Sequence, residues 1–419
     1  MSTKRLHLFQ AYGIELEYMI AKKEDLSVNP ITDELFKNVT GEYVSDVERG
    51  EITWCNELVM HVVELKCTEP NPNLVGLNEH FHKNVKDINT LLAGFNSQLM
   101  PTAAHPFMDP QTEAKLWPHD NNEVYERYNK MFNCKGHGWS NLQSTHINLP
   151  FYDDEEFATL HAAIRLILPL IPGIAASSPV LGGKNTGMLD KRMDYYQKNQ
   201  KVIPSITGKV IPERVFSKRQ YHKVIYDKIS HDIEKYNEDK ILDPIWVNSR
   251  GAIARFDRGS IEIRIMDIQE CPQADLAIVS LIVAALKMLV EEKTCSFHNQ
   301  QLWETEDLNA ILQKTIVECE NAVIENSEYL KVFGIDAKSS KVSEVWRHIL
   351  NATNKYYPTM IDPYLPTLEF IINEGTLATR IVKALDGQYG LDNIRLVYRE
   401  LSDCLNNNEL FEVCLQEKF

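Results

Sequence analysis

No two cysteines in this 419-residue chain stand at Cys-x-x-Cys spacing. The eight, Cys55, Cys67, Cys134, Cys271, Cys295, Cys319, Cys404 and Cys414, are scattered. That excludes a zinc ribbon or dithiol redox motif and reads as reduced, structural thiols. Basic residues are also in deficit, 44 against 59 acidic for a formal charge of −15, and no Lys/Arg-rich run interrupts the excess. A nucleic-acid surface is therefore not expected, and an anionic substrate would need local help from metals or placed arginines. The most apolar stretch, residues 276–290, falls short of the roughly 20 residues a bilayer span needs and carries Lys287, so it reads as a buried helix rather than a membrane segment. Met1 to Arg5 is basic, but Leu6-His7-Leu8-Phe9 is too short for a signal h-region, and a cytoplasmic protein is expected. There is no internal repeat, low-complexity tract or obvious linker. One catalytic domain over residues 1–293, with a helical region at 294–419 packed on it, is the economical organisation.

What the chain does have is a set of strand-like segments with one chargeable face and one aliphatic face. In Gly13-Ile14-Glu15-Leu16-Glu17 alternation places both carboxylates on one side, roughly 7 Å apart along the strand, opposite Ile14, Leu16 and Tyr18. Two anions so placed repel each other unless something positive lies between them. Alone, they fit an ordinary solvated strand. Two later segments repeat the construction: Ser144, His146 and Asn148 oppose Thr145, Ile147 and Leu149, and Ser260, Glu262 and Arg264 oppose Ile261, Ile263 and Ile265. Exposed strand faces mix Lys, Thr, Glu and Ser, whereas these offer Glu/Glu, His/Asn and Glu/Arg.

Between them, residues 22–50 read as polar and irregular, and residues 51–68 as a second long strand region. Glu57 and Glu64 lie an odd number of residues apart, so they share a face only across a bend, or with Glu57 on the approaching loop. Residues 73–99 carry helical periodicity through Leu77, Phe81, Val85, Ile88, Leu91 and Leu92. Asp153-Asp154-Glu155 opens a further helix that should kink at Pro169 and Pro172. Gly182 to Gly187, with Lys184, Thr186 and then Arg192, is a glycine-rich segment able to wrap phosphate oxygens with backbone N–H groups, although it lacks Walker spacing and also fits a plain inter-helix loop. Residues 218–240 read as a charged helix. Arg250, Arg255 and Arg258 precede the Glu262 strand as one arm of a hairpin; Arg250 and Arg255 are the better phosphate-clamp candidates. The chain beyond Ala274 is overwhelmingly helical in pattern.

Gathered on one face, Glu15, Glu17, Glu64, His146 and Glu262 would form an anionic cluster with one imidazole. Such a cluster either raises its pKa values or binds cations. Oxygen ligands, one His and no Cys select Mg²⁺, with Mn²⁺ as the alternative, and Arg264 is placed to touch a transferring phosphoryl group. Five motifs, Gly13-Ile14-Glu15-Leu16-Glu17, Glu57-Leu58 with Glu64, Ser144-Thr145-His146, Ser177-Ser178-Pro179 through Arg192, and Gly259 through Gln269, stand in the order of the family this sequence resembles. That family is the type 2 glutamate–cysteine ligases and related carboxylate–amine ligases, whose catalytic fold is shared with glutamine synthetase. The resemblance spans about residues 8–290.

It implies an α+β fold: a curved, mainly antiparallel sheet holding ATP and two or three Mg²⁺ on its polar face, helices packed behind, and a helical C-terminal region. By that resemblance Glu15, His146 and Glu262 look like ligands of the metal nearest the transferring phosphate, Glu17, Glu57 and Glu64 like ligands of the others, and Arg264 like the phosphoryl-stabilising arginine. Residues 183–192 resemble the loop beside the substrate. The implied reaction joins glutamate, or a similar acid, to an amino-acid amine through an acyl phosphate, with cysteine the family's amine and glutathione precursors its product. Leu16, Ser144 and Trp246-Val247-Asn248 depart from the common pattern and leave the substrates open. A different acid or amine, a small-molecule kinase and a non-catalytic nucleotide-binding protein on the same fold are the competing readings. The oligomeric state, a homo-oligomer included, is undetermined by sequence.

Overall fold

The computed structural model describes residues 5–120, 122–237 and 240–413. The basic stretch before Arg5 and Cys414 lie outside the described residues. Alternating segments do what alternation dictates: they pair into an eight-stranded sheet. Its strands are β1 (Gly13–Lys22), β2 (Asp46–Arg49), β3 (Ile52–Asn56), β4 (Val62–Cys67), β5 (Ser97–Met100), β6 (Ser144–Pro150) and, after a small separate hairpin β7 (Val180–Leu181) and β8 (Lys184–Asn185), β9 (Ala252–Arg255) and β10 (Ser260–Asp267). The order is β2-β3-β4-β1-β6-β10-β9, with β5 pairing on the later part of β1. Every pairing in this sheet is antiparallel.

Register decides which side chains meet. Glu15 lies opposite His146, Glu17 opposite Glu64, and Glu262 opposite Asn148. Paired residues share a face, so one side of β4, β1, β6 and β10 is polar. The other side, with Ile14, Leu16, Leu65, Ile147, Leu149 and Ile261, is buried in the main core. At about 1.5–3 kcal/mol for each fully buried large aliphatic side chain, a one-residue slip of β1 would forfeit several such terms and bury its acids instead.

Helices cover the apolar side. They include α1 (Leu77–Leu92), α2 (Asp154–Ile167) and, after the short α3 (Lys191–Tyr196), which Arg192 ties to the end of β10, α4 (Pro272–Val290). Asp153 caps α2 by accepting from the Glu155 and Glu156 N–H groups, and the helix gives way to a tight turn at Leu168–Leu170 where Pro169 removes a donor. α4 is long and apolar enough to span a bilayer by length and composition, but it is 83% buried inside the protein. Helices α5 (Leu377–Leu385) and α6 (Leu391–Asn407) form a second core with Met19, Ala21, Val62 and Met100. Met19 pairs with Val62 two positions beyond Glu17, so these helices cover the far end of the polar face.

Several sequence expectations change. Residues 22–50 contain a helix at Thr32–Thr40 and the edge strand β2. Residues 51–68 are a hairpin, β3 and β4, with Glu57 on the loop between. The helix read over residues 73–99 spans Leu77–Leu92, and strand β5 begins at Ser97 inside that stretch. The glycine-rich segment is the β7–β8 hairpin, whose turn residues Gly182 and Gly183 have φ of 58° and 73°. The charged segment is helical from Lys218 to Tyr236 with a π-helical stretch at His222–Tyr226, while residues 238 and 239 lie outside the described residues.

Candidate active site

The polar face forms a trough of carboxylates. Glu15 comes from β1 beside His146 of β6, whose Nδ1 lies 2.8 Å from Glu15 Oε2. The Asn148 amide donates to Glu15 Oε1 at 3.0 Å. Glu17 accepts from the Ser144 N–H at 2.7 Å and its hydroxyl at 3.0 Å. Glu64 enters from β4, and the loop carries Glu57 to the same place. Two groups result in which one ligand atom per residue lies within 4.8 Å of the others: Glu15, Glu64 and His146, and Glu17, Glu57 and Glu64. Glu64 belongs to both.

Electrostatics follow from this crowding. Burial and the Glu17 carboxylate push Glu57 up to about 8. Burial, with Glu15 and Glu57 alongside, raises Glu64 well above the ordinary carboxylate range. Burial opposes ionisation of Glu15 too, but the His146 hydrogen bond and charge, with Lys66 and Arg264, hold it down at about 2. For His146 burial works against the charged ring, and Glu15 and Glu17 outweigh it, so its pKa is raised. The imidazole thus stands between two acids that favour its charged form. A divalent ion fits this donor set: it would relieve the repulsion that Glu57 and Glu64 now meet by holding protons, and His146 would give up its proton to become a ligand.

At the other end of the trough Glu262 is paired with two arginines. Arg264 Nε lies 3.2 Å from Glu262 Oε1, and Arg255 Nε lies 3.4 Å from Oε2. Burial disfavours the Arg264 charge, but Glu262, Tyr196, Glu17 and Glu15 raise its pKa further. A permanent cation therefore faces the carboxylate cluster.

The model for glutamate–cysteine ligase family 2 matches residues 11–318. An uncharacterized protein of Archaeoglobus fulgidus is 30% identical over 400 residues, covering 94% of this chain and 100% of its own length. The chain belongs to glutamate–cysteine ligase family 2. Among solved structures, the glutamate–cysteine ligase of Francisella tularensis, determined in complex with AMP, superposes with a TM-score of 0.61 at 12% identity, over 99% of this chain and 91% of that one. The complex of prokaryotic ubiquitin-like protein Pup with its ligase PafA gives a TM-score of 0.48 at 12% identity, over 93% and 71%. At 12% identity the first likeness is one of fold, the mainly antiparallel sheet with helices behind. Family membership makes the chain a carboxylate–amine ligase by class.

Within this family member, the structure redistributes the residues read from sequence. Glu15, Glu17, Glu57, Glu64 and His146 come together. Glu262 is in neither group; Glu64 lies with Glu15 and His146 instead, and Glu262 faces Arg264 and Arg255. Arg255 stays at the site, bridging Glu262 and the Ile245 carbonyl. Arg250 does not: it is buried, with Nε and Nη2 on Glu213 and Nη1 on Ser205, Ile206 and Asn248, so its guanidinium is tied into the protein's own network. Arg192 is likewise buried, bonded to Asp267 and to the Arg264 carbonyl. Lys184 is exposed on β8. The Thr186 hydroxyl donates to Pro179 and Met188 carbonyls, and the N–H groups of Gly183, Thr186 and Gly187 are all taken within the protein, so this hairpin offers no ready phosphate cradle. Lys66, whose Nζ lies 3.5 Å from Glu64, was missed, although alternation from Glu64 points to it.

Proposed function

We propose that this chain is an ATP- and Mg²⁺-dependent glutamate–cysteine ligase that forms γ-glutamylcysteine by way of an acyl phosphate. The observation that carries the reading is the pair of carboxylate groups sharing Glu64, set opposite the Arg264 guanidinium. Glu15, Glu64 and His146 would hold one cation, and Glu17, Glu57 and Glu64 a second, Mn²⁺ being a fitting substitute for Mg²⁺. When bound, those ions neutralise phosphate charge. Arg264 stabilises charge on the phosphoryl group in transfer, and Glu262 with Arg255 fixes that end of the trough. The glutamate γ-carboxylate attacks the γ-phosphorus and ADP leaves; the cysteine amine then attacks the acyl carbon, phosphate leaves, and the nitrogen loses a proton to a nearby acid or water. No enzyme nucleophile is required.

ADP release with Mg²⁺ and glutamate across a panel of amines, the product identified by mass, tests this. The reading requires amide formation that depends on both substrates, greatest with cysteine. Equal ADP release with and without amine, and no amide, would remove it in favour of a kinase. Amide formation with another acid or amine keeps the chemistry and replaces the substrates.

A further inference from the structure

We propose that Arg192 is a positioning residue that aims Arg264 at the phosphoryl group, acting through the main chain of β10. The proposal rests on the ligase reading above, in which Arg264 is the phosphoryl contact. The pairing of β10 with β6 shifts register between Ile263 and Met266, so the regular ladder with β6 breaks at Arg264. An irregularity of this kind re-aims a side chain; the Arg264 N–H still donates to the Gly251 carbonyl at 3.0 Å, and its own carbonyl must be held separately. Arg192 does so: Nη2 donates to the Arg264 carbonyl at 3.0 Å while Nη1 reaches Asp267 Oδ1 at 3.3 Å. One guanidinium thereby spans the shifted segment.

Its own position is fixed from both sides. Asp267 Oδ2 accepts from the Ser177 N–H and the Ser178 hydroxyl, and Ser178 Oγ in turn accepts from the Arg192 N–H at 2.9 Å. All of these groups are buried. Helix α3 also brings Tyr196 beside the Arg264 side chain, with the Arg192 guanidinium 5.7 Å from that ring and the Tyr196 hydroxyl donating to the Ser249 carbonyl. An ion pair with Asp267 would need only a point charge. The second contact needs the planar fork, which is the property lysine lacks.

Arg192→Lys separates the two roles, because it keeps a cation against Asp267 and gives up the span. The expected result is a kcat lower by about 10–10²-fold, as for a small misplacement of a reacting group, with KM values for ATP and glutamate changed less than about 3-fold. Tm should stay near that of the parent protein. In an Arg264→Ala background the same substitution should lower kcat no further, since its effect passes through Arg264. A parent-like kcat, a multiplicative loss in the double variant, or a loss seen only in Tm would overturn the proposal. A crystal structure of Arg192→Lys gives a readout independent of turnover: Arg264 should leave its 3.2 Å approach to Glu262. If the parent protein ligates nothing, the ligase reading fails by itself, and the orientation of Arg264 in that crystal still decides the positioning role: retained, it overturns the proposal.

Discussion

Glu64 and Glu270 are both buried glutamates in very different company. Glu64 shares its surroundings with Glu15, Glu17 and Glu57 and with the half-exposed Lys66. Glu270 faces the buried Arg380 guanidinium, which also donates to the Phe411 carbonyl. Asp267 with Arg192 and Glu213 with Arg250 follow the second pattern. At Glu270 a matching cation makes the pair part of the architecture; at Glu64 acids outnumber cations, and that imbalance is what the proposed ions would neutralise. Glu262 departs from this division, since two arginines face it although it lies in the trough, while Asp267 on the same strand ties the end of β10 into the core.

The largest expected effect breaks the trough's working end. Arg264→Ala or Glu262→Gln should lower turnover by about 10³-fold or more with far-UV circular dichroism unchanged. A variant with near-parental activity would remove that residue from the site. Next, Arg380→Met should strand Glu270 in the core and cost about 3–5 kcal/mol in denaturant unfolding, with cation affinity unchanged. A cation defect there would blur the distinction between the two patterns.

pH sharpens the same contrast. Glu57, at about 8 in the fold against about 4.3 for a free glutamate, binds its proton more tightly when folded. The metal-free protein therefore has that contribution in full below about pH 4.3 and loses it as pH rises through about 8. A divalent ion favours the deprotonated form, so Mg²⁺ should raise Tm more at about pH 8.5 than at about pH 6. An equal shift at both would mean that these acids do not meet the ion. The smallest expected effect is that of Lys184→Ala on the exposed β8 edge, with kcat and KM for ATP within about 2-fold of the parent. A large rise in KM for ATP would return the glycine-rich hairpin to the nucleotide site.

Much of this was legible in the sequence because strand alternation is a strict code: β1, β6 and β10 present the polar faces that Glu15, His146 and Glu262 predict. Glu57 and Glu64 were ambiguous for the same reason, since an odd spacing needs a turn that sequence does not locate. The structure supplies it as the β3–β4 loop. The arginines were the weaker reading. Sequence shows their charge but not their burial, so Arg192 and Arg250, bonded internally, looked the same as Arg255, which stays at the trough. Strand β5 is four residues long and carries no alternation to read.

The central claim is that two cation positions share Glu64. Calorimetric titration of Mn²⁺ into the metal-free protein and into Glu64→Gln tests it directly. The account predicts two coupled sites in the parent, with proton release near neutral pH, and both sites weakened together by the single substitution. No binding in the parent, or one site lost while the other keeps its affinity, would contradict it.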